Sequence, residues 1–201
     1  MVKPKAPLFG FGASGKLGDA IVYGSWKGID VAREYVIPAN PNSSAQSIQR
    51  GYFTEAVDAW HDFLALSDID PEDTEAWNRY AGVIGRMSGF NLFTRTYVNE
   101  RVAGGTPLGV FNDVAWTDTT ANSMDGSIEV EGGAAEVVTM RWGNSKTFFP
   151  KNNSAAMSSG TFQWIALDSG YSAGTTIFYY FEVGAAGVDY FRSGLYTKLL
   201  T

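Results

Sequence analysis

The sequence predicts an α+β fold in which an extended N-terminal arm, a β-hairpin and two or three helices precede an all-β, immunoglobulin-like sandwich. Apolar residues between positions 48 and 87 recur every three or four residues, which is typical of amphipathic helices. After position 108, β-branched and aromatic runs alternate with clusters of glycine, asparagine and serine, which is typical of strands joined by turns. The segment Gly104-Gly105-Thr106-Pro107 separates the two patterns and predicts a linker. We therefore expect domains at residues 1–106 and 107–201.

The first nineteen residues are rich in glycine and proline, which disfavour a helix and predict an extended arm. This arm carries Leu8, Phe9 and Phe11, which a short arm cannot bury alone. Residues 20–23 and 29–37 predict two strands, because apolar and polar side chains alternate along the second run. The segment Trp26-Lys27-Gly28 between them predicts the hairpin turn.

Three helices are predicted before the linker. The first has an apolar stripe from Ile48 to Leu64 and capping residues at 42–44. The second begins at Asp70-Pro71, since aspartate favours the cap and proline the first helical position, and ends at Ser88-Gly89. Residues 90–103 predict a third, short helix. Strands of the C-terminal domain are predicted at residues 127–131, 136–142, 162–167, 175–183 and 195–200.

Composition excludes several classes of function. The formal net charge of −6 argues against a nucleic-acid partner, which requires a cationic footprint. Cysteine is absent and histidine occurs once, which excludes disulfides, thiol nucleophiles and multi-histidine metal sites. We predict no catalytic residue, no cofactor and no metal, and hence not an enzyme. The basic N-terminus is broken by proline and glycine rather than followed by an apolar run, so we expect synthesis in the cytoplasm and no membrane partner.

One glycine-rich segment resembles a nucleotide-binding loop. The residues from Gly10 to Lys16 fit a phosphate loop, except that Leu17 replaces the hydroxyl residue that binds magnesium, and three of their glycines fit the dinucleotide fingerprint. Tyr23 and Lys27 have the spacing used by short-chain dehydrogenases. Both motifs require a buried strand before the glycines and a helix after them. Glycines interrupt the following segment, so the sequence favours an arm and hairpin over a nucleotide site.

Three other groups of residues have a functional and a structural interpretation. His61 lies at the edge of the first helical stripe, where a surface or partly buried histidine is favoured over a catalytic base. Five acidic residues lack the spacing of a calcium loop and favour a solvated helix start: Asp68, Asp70, Glu72, Asp73 and Glu75. Four aromatic residues within strand runs favour core packing over a sugar-stacking platform: Trp142, Trp164, Tyr179 and Tyr180.

The C-terminal half resembles fibronectin type III modules. Residues 161–201 carry the resemblance, above all residues 167–183, where a leucine, a short turn and Gly174-Thr175 precede an aromatic strand. The segment Ser193-Gly194-Leu195-Tyr196 stands where the last strand of the module would begin. Val138-Thr139-Met140-Arg141-Trp142 resembles an earlier strand with the core tryptophan. The resemblance implies a fold and no ligand.

The N-terminal half resembles small, mostly uncharacterised structural proteins of phage and prophage virions. The resemblance spans about residues 15–95 and implies a structural particle protein without catalytic residues, leaving capsid or tail open. It rests on Gly15-Lys16-Leu17-Gly18-Asp19, Val31 to Arg33, Asn40-Pro41-Asn42-Ser43-Ser44-Ala45-Gln46, Arg50, Phe53, Trp60, Trp77-Asn78-Arg79-Tyr80-Ala81 and Ser88-Gly89-Phe90-Asn91-Leu92-Phe93.

We therefore expect a self-associating structural component of a phage-like particle, assembled in the host cytoplasm and located in the virion. Residues 1–106 would contact other copies or other particle proteins, and the sandwich would face outward. One alternative is a module that binds carbohydrate or a host surface. A further, disfavoured alternative is a nucleotide-binding enzyme that uses the loop from Gly10 to Lys16.

Overall fold

The chain divides into two compact units. The computed structural model describes residues 14–37, 39–66, 71–85, 87–107, 110–131, 137–184 and 187–201. One unit ends at Ser43 and the other begins at Ser44. Among the residues described, every buried apolar side chain belongs to the second unit. The predicted arm residues Leu8, Phe9 and Phe11 lie outside the described residues.

The first unit contains the strands β1 (Gly15–Leu17), β2 (Ile21–Trp26) and β3 (Ile29–Glu34). The second unit contains three helices and eight further strands in the described part of the chain. These elements are α1 (Ser44–Ala65), α2 (Pro71–Ile84), α3 (Gly89–Ala103), β4 (Val110–Thr120), β5 (Ser123–Glu131), β6 (Val137–Gly143), β7 (Lys151–Ala156), β8 (Thr161–Leu167), β9 (Thr176–Gly184), β10 (Tyr190–Arg192) and β11 (Tyr196–Leu199).

The first unit is a three-stranded antiparallel sheet in the order β1-β2-β3. Trp26 pairs with Ile29, so the turn between β2 and β3 contains two residues, Lys27 and Gly28. Both have positive φ, 51° and 76°, as a type I′ turn requires. The predicted hairpin is confirmed. The sequence did not predict β1, because its three residues lie between glycines within the predicted arm.

All three predicted helices are confirmed. Pro71 is the first residue of α2, as predicted, but α2 ends at Ile84 rather than at Ser88, because Gly85 follows it with a φ of 128°. The hydroxyl of Ser88 caps α3 by accepting a hydrogen bond from the Asn91 backbone N–H.

Two antiparallel sheets of the second unit pack face to face. One has the order β4-β5-β8, and the other has the order β10-β9-β6-β7, with β11 also paired to β9. Aromatic side chains join their inner faces: the Phe181 ring lies 5.5 Å from Trp164 and 6.0 Å from Phe162, between centroids. The predicted α+β class is confirmed. All five predicted C-terminal strands correspond to observed ones, β5, β6, β8, β9 and β11.

The three helices share the apolar core of these sheets. Phe191 on β10 lies 6.1 Å from the Trp77 ring of α2 and 5.7 Å from the Phe93 ring of α3, between centroids. Phe111 on β4 stacks on the Phe191 ring, with 6.2 Å between the ring centroids. The helices therefore belong to the unit that contains the sheets, and the observed division falls at 43/44, whereas the sequence predicted a boundary at 106/107.

The predicted linker is a packed turn. Gly104 is the left-handed C-cap of α3, and the Gly105 N–H donates to the Glu100 carbonyl at 3.1 Å. The Thr106 N–H donates to the Asp189 carboxylate at 3.1 Å. The buried Glu100 carboxylate accepts from the Gly187 N–H at 2.9 Å. These bonds hold the segment to the loop before β10.

A buried carboxylate joins α2 to the sheets. Asp73 is 1% exposed and accepts hydrogen bonds from the Tyr196 hydroxyl at 2.7 Å and from the Asp113 N–H at 3.3 Å. The Leu195 N–H donates to the Ala76 carbonyl at 2.9 Å. Asp73 therefore differs from the solvated helix start that the sequence predicted for its acidic cluster. Burial, together with the adjacent carboxylate, raises the pKa of the Tyr196 phenol well above its usual value.

Replacing Tyr196→Phe should reduce the free energy of unfolding by about 1–3 kcal/mol, because it leaves a buried carboxylate oxygen without its phenolic donor. Urea denaturation of the variant and the wild type measures this difference. Tyr190→Phe is the matched control: its phenol lies in the neighbouring strand and forms no hydrogen bond within the described residues, so it should change stability by less than about 0.5 kcal/mol. Equal effects of the two substitutions would contradict the role assigned to Asp73.

Stability should fall at alkaline pH. Burial and the nearby Glu182 raise the pKa of Tyr190 to about 12, and burial raises the pKa of Tyr179 as well. The folded chain thus holds these protons more tightly than the unfolded chain, whose tyrosines titrate near pH 10. The contribution to stability is complete below about pH 10 and is lost as pH rises towards 12. Denaturant titrations across this range should show a falling free energy of unfolding; a constant value would contradict it.

Candidate functional site

The register of the first unit assigns its side chains to two faces, because directly paired residues of antiparallel strands lie on the same face. We call one the basic face; it carries Lys16, Val22, Gly24, Trp26, Ile29, Val31 and Arg33. We call the other the acidic face; it carries Leu17, Ile21, Tyr23, Ser25, Asp30, Ala32 and Glu34.

Both faces expose large apolar side chains. Trp26 is 66% exposed on the basic face, and Leu17 is 57% exposed on the acidic face. None of the described residues up to Ser43 is buried. Burial of apolar area is the main stabilising term for a sheet, and a small sheet without a buried face is marginal in water. The first unit therefore exposes the kind of surface that marks an interaction site.

The basic face has two cavities. One has a volume of about 480 Å³ and is lined by Val22, Gly24, Ser25, Trp26, Val31 and Arg33. The other has a volume of about 670 Å³ and is lined by Gly15, Lys16, Val22, Arg33, Glu34, Tyr35 and Val36. Val22 and Arg33 line both cavities, so the two cavities adjoin on the basic face, and the second also includes Glu34 of the acidic face.

Cations of the first unit lie against its aromatic rings. The Lys16 ammonium lies 4.1 Å from the Tyr35 ring centroid, and that of Lys27 lies 5.0 Å from the Trp26 ring. Lys16 also forms an ion pair with Asp19. The long side chains therefore cover part of the aromatic surface while they keep their charges in water.

Charge differs in sign between the two units. Residues 1–43 contain five basic and three acidic residues, a net charge of +2. Residues 44–201 contain ten basic and eighteen acidic residues, a net charge of −8. The formal charge of −6 thus conceals a basic N-terminal segment. The argument that a negative net charge disfavours anionic partners therefore applies more strongly to the second unit than to the first.

The N-terminal half of α1 offers a second exposed apolar surface, in the second unit. Residues 44–51 are all exposed, and Phe53 is 54% exposed. Contacts with α3 begin at Tyr52, whose ring lies 5.0 Å from the Arg101 guanidinium, and at Glu55, which pairs with Arg101 at 2.9 Å. The first two turns of α1 extend past these contacts, so the apolar stripe predicted from Ile48 onward is buried only in its C-terminal part.

The structure does not support a phosphate-binding arrangement in the glycine-rich segment. Residues 10–13 lie outside the described part, while Gly15 and Lys16 belong to β1, which pairs with β2. A strand and a turn therefore occupy the place where a phosphate loop needs a helix N-terminus. Tyr23 lies on the acidic face and Lys27 in the β2–β3 turn.

The remaining candidate residues are His61, the acidic cluster and four aromatic residues. Asp68 and Asp70 lie outside it, and no group of three histidine or acidic side chains within it could hold a metal ion. His61 is exposed, as predicted. The four aromatic residues considered for sugar stacking, Trp142, Trp164, Tyr179 and Tyr180, are all buried, which agrees with the predicted core role.

A charged cluster that the sequence did not indicate lies beside β9 and β10. The Arg192 guanidinium lies 3.7 Å from the Tyr180 ring centroid and 4.0 Å from that of Tyr80 on α2. Arg141 pairs with Glu182 on the same sheet. A guanidinium between two rings couples the helix to the sheet, so this cluster strengthens the packing.

No family model and no solved structure matches this chain. A curated protein, angiotensinogen from Bos taurus, is 28% identical over 105 residues. The match covers 49% of this chain and 21% of angiotensinogen, so the chain spans about a fifth of that protein. A match of this extent assigns no family. Within the described ranges, no helix has the length and hydrophobicity needed to cross a bilayer.

Proposed function

We propose that the protein is a self-associating structural component of a phage-like particle and that the sheet of the first unit forms contacts between copies. The proposal rests on the observation that this sheet exposes large apolar side chains on both faces and that none of its described residues is buried. Exposed apolar area of this kind gains free energy when a neighbouring subunit covers it. The proposal names copies of this chain and other particle proteins as partners, the virion as location, and no catalysis.

The resemblance of residues 15–95 to virion-type phage proteins supports the same proposal. The residues that carry it include Gly15-Lys16-Leu17 of β1 and Val31 to Arg33 of β3, which belong to the exposed sheet. A particle protein needs surfaces that bind identical copies repeatedly, and it needs no active site. The proposal leaves capsid or tail open.

We propose further that the second unit is a sandwich of the fibronectin type III kind that faces outward. In immunoglobulin-type sandwiches, the first, second and fifth strands share one sheet, and the third, sixth and seventh share the other. Counted from β4, the second unit has this partition, with its fourth strand, β7, in the second sheet. The three helices packed on this core are an addition to such a module.

The purified protein should form assemblies larger than one chain, and replacing Ile21→Ser together with Trp26→Ser should reduce their mass. These substitutions remove exposed apolar side chains from both faces of the sheet without opening the core of the second unit. Light scattering coupled to size-exclusion chromatography measures the mass over a concentration series.

Ile165→Ser is the matched control, because Ile165 is 71% exposed on β8 in the second unit. It should leave the mass distribution unchanged. A wild type that remains a single chain at every concentration would overturn the proposed function. An equal loss of mass in the control would place the contact on the second unit instead.

A further inference from the structure

Neither face of the first unit's sheet has the composition of a solvent-facing side. Antiparallel sheets with one solvated face show apolar residues on one side and polar residues on the other. Here the basic face carries Trp26 and Val31, and the acidic face carries Leu17 and Ile21. Covering either face would therefore bury exposed apolar area, and a single layer can cover only one of the two faces.

The two faces carry charges of opposite sign. Arg33 lies on the basic face, with Lys27 in the adjoining turn, while Asp30 and Glu34 lie on the acidic face. None of these four side chains forms an ion pair within the described ranges. The charges are therefore available to a partner, and the same sheet offers both members of a complementary pair.

We propose that the acidic face of one copy packs on the basic face of another copy, an inference that rests on the proposed self-association. Two sheets stacked face to face lie about 10 Å apart and interdigitate their side chains. The apolar residues of the two faces form the centre of the contact, and Arg33 and Glu34 lie on opposing layers. Because each sheet has both faces, every copy binds two neighbours, and the contact is heterologous.

A heterologous contact repeats, and it produces closed rings or open rows according to the rotation between copies. Symmetric contacts between two like faces are less favourable, because they bring charges of the same sign together. A basic face on a second basic face would oppose Arg33 and Lys27 with their own equivalents, and an acidic pair would oppose Asp30 and Glu34. Like charges set across a contact repel each other, so the pattern selects the unlike pair.

A single-stranded nucleic acid is the competing occupant of the basic face. Aromatic side chains with neighbouring cations bind bases and phosphates, and Trp26 and Arg33 provide such a pair. Two observations favour a second copy. A polyanion would leave the apolar side chains of the acidic face uncovered, and the net charge of −8 on residues 44–201 repels it.

Charge reversal with mixing tests the proposal. Arg33→Glu and Glu34→Lys should each weaken association of the full-length protein by about tenfold or more, because each sets like charges across every contact. An equimolar mixture should recover assemblies of wild-type mass, since the reversed basic face of one variant fits the reversed acidic face of the other. Recovery also shows that both sheets are folded. Analytical ultracentrifugation measures all samples at one protein concentration.

Lys146→Glu and Glu129→Lys are the matched controls, because both residues are exposed in the second unit. They should leave the mass unchanged. A wild type that stays a single chain defeats the proposed function itself. If the wild type assembles but the mixture does not recover, self-association stands and the stacking of unlike faces is overturned. If Arg33→Glu abolishes assembly but Glu34→Lys does not, the contact is a symmetric one between basic faces, and the stacking of unlike faces is overturned as well.

Binding of a fluorescently labelled oligodeoxynucleotide tests whether a nucleic acid, rather than a second copy, occupies the basic face. The stacked arrangement predicts that it does not bind to the wild type at physiological salt and does not dissolve the assemblies. Tight binding that Arg33→Glu abolishes would assign the basic face to nucleic acid and overturn the proposal.

Discussion

A β-sheet with large apolar side chains on both faces must be covered on both sides, and this constraint governs the whole molecule. In the second unit, three helices and two sheets cover one another, so that Trp77, Phe93 and Phe191 are almost completely buried. In the first unit, Trp26 and Leu17 remain exposed. The chain thus contains one part that satisfies the constraint by itself and one part whose sheet leaves apolar side chains exposed on both faces.

The packing of the second unit depends on close contacts between α2 and the segment before β11 that only particular residues permit. A Cβ atom on Gly194 would lie 2.5 Å from the Ala76 carbonyl carbon, so glycine is needed where the segment before β11 meets α2. At the same junction Asp73 is buried with its hydrogen bonds satisfied by Tyr196 and Asp113, which avoids the cost of an unpaired charge. A specific polar junction of this type sets the position of the helix as well as stabilising it.

Local signals in the sequence predicted the three helices and seven of the strands, but not the partners of these elements. Lys27-Gly28 and Pro71 act through their own backbone preferences, so the hairpin turn and the start of α2 were predictable. Strand β7 was not, because its Lys151-Asn152-Asn153-Ser154 segment is polar and is held by pairing with β6. The contact between Phe191 and the helices was not predictable, because Phe191 lies far along the chain from them. The division of the candidate surface into basic and acidic faces was not predictable, because it required the register of β2 and β3.

The proposed assembly would couple association of the protein to folding of the first unit, because both use the same apolar area. In this proposal the sheet, in which none of the described residues is buried, would gain stabilisation when a partner covers it, so its folded population would depend on the concentration of copies. The second unit contains its own core and does not share this dependence. In the stacking that we propose, opposite charges on the two faces would then determine which surfaces meet, because apolar contacts alone do not distinguish one face from the other.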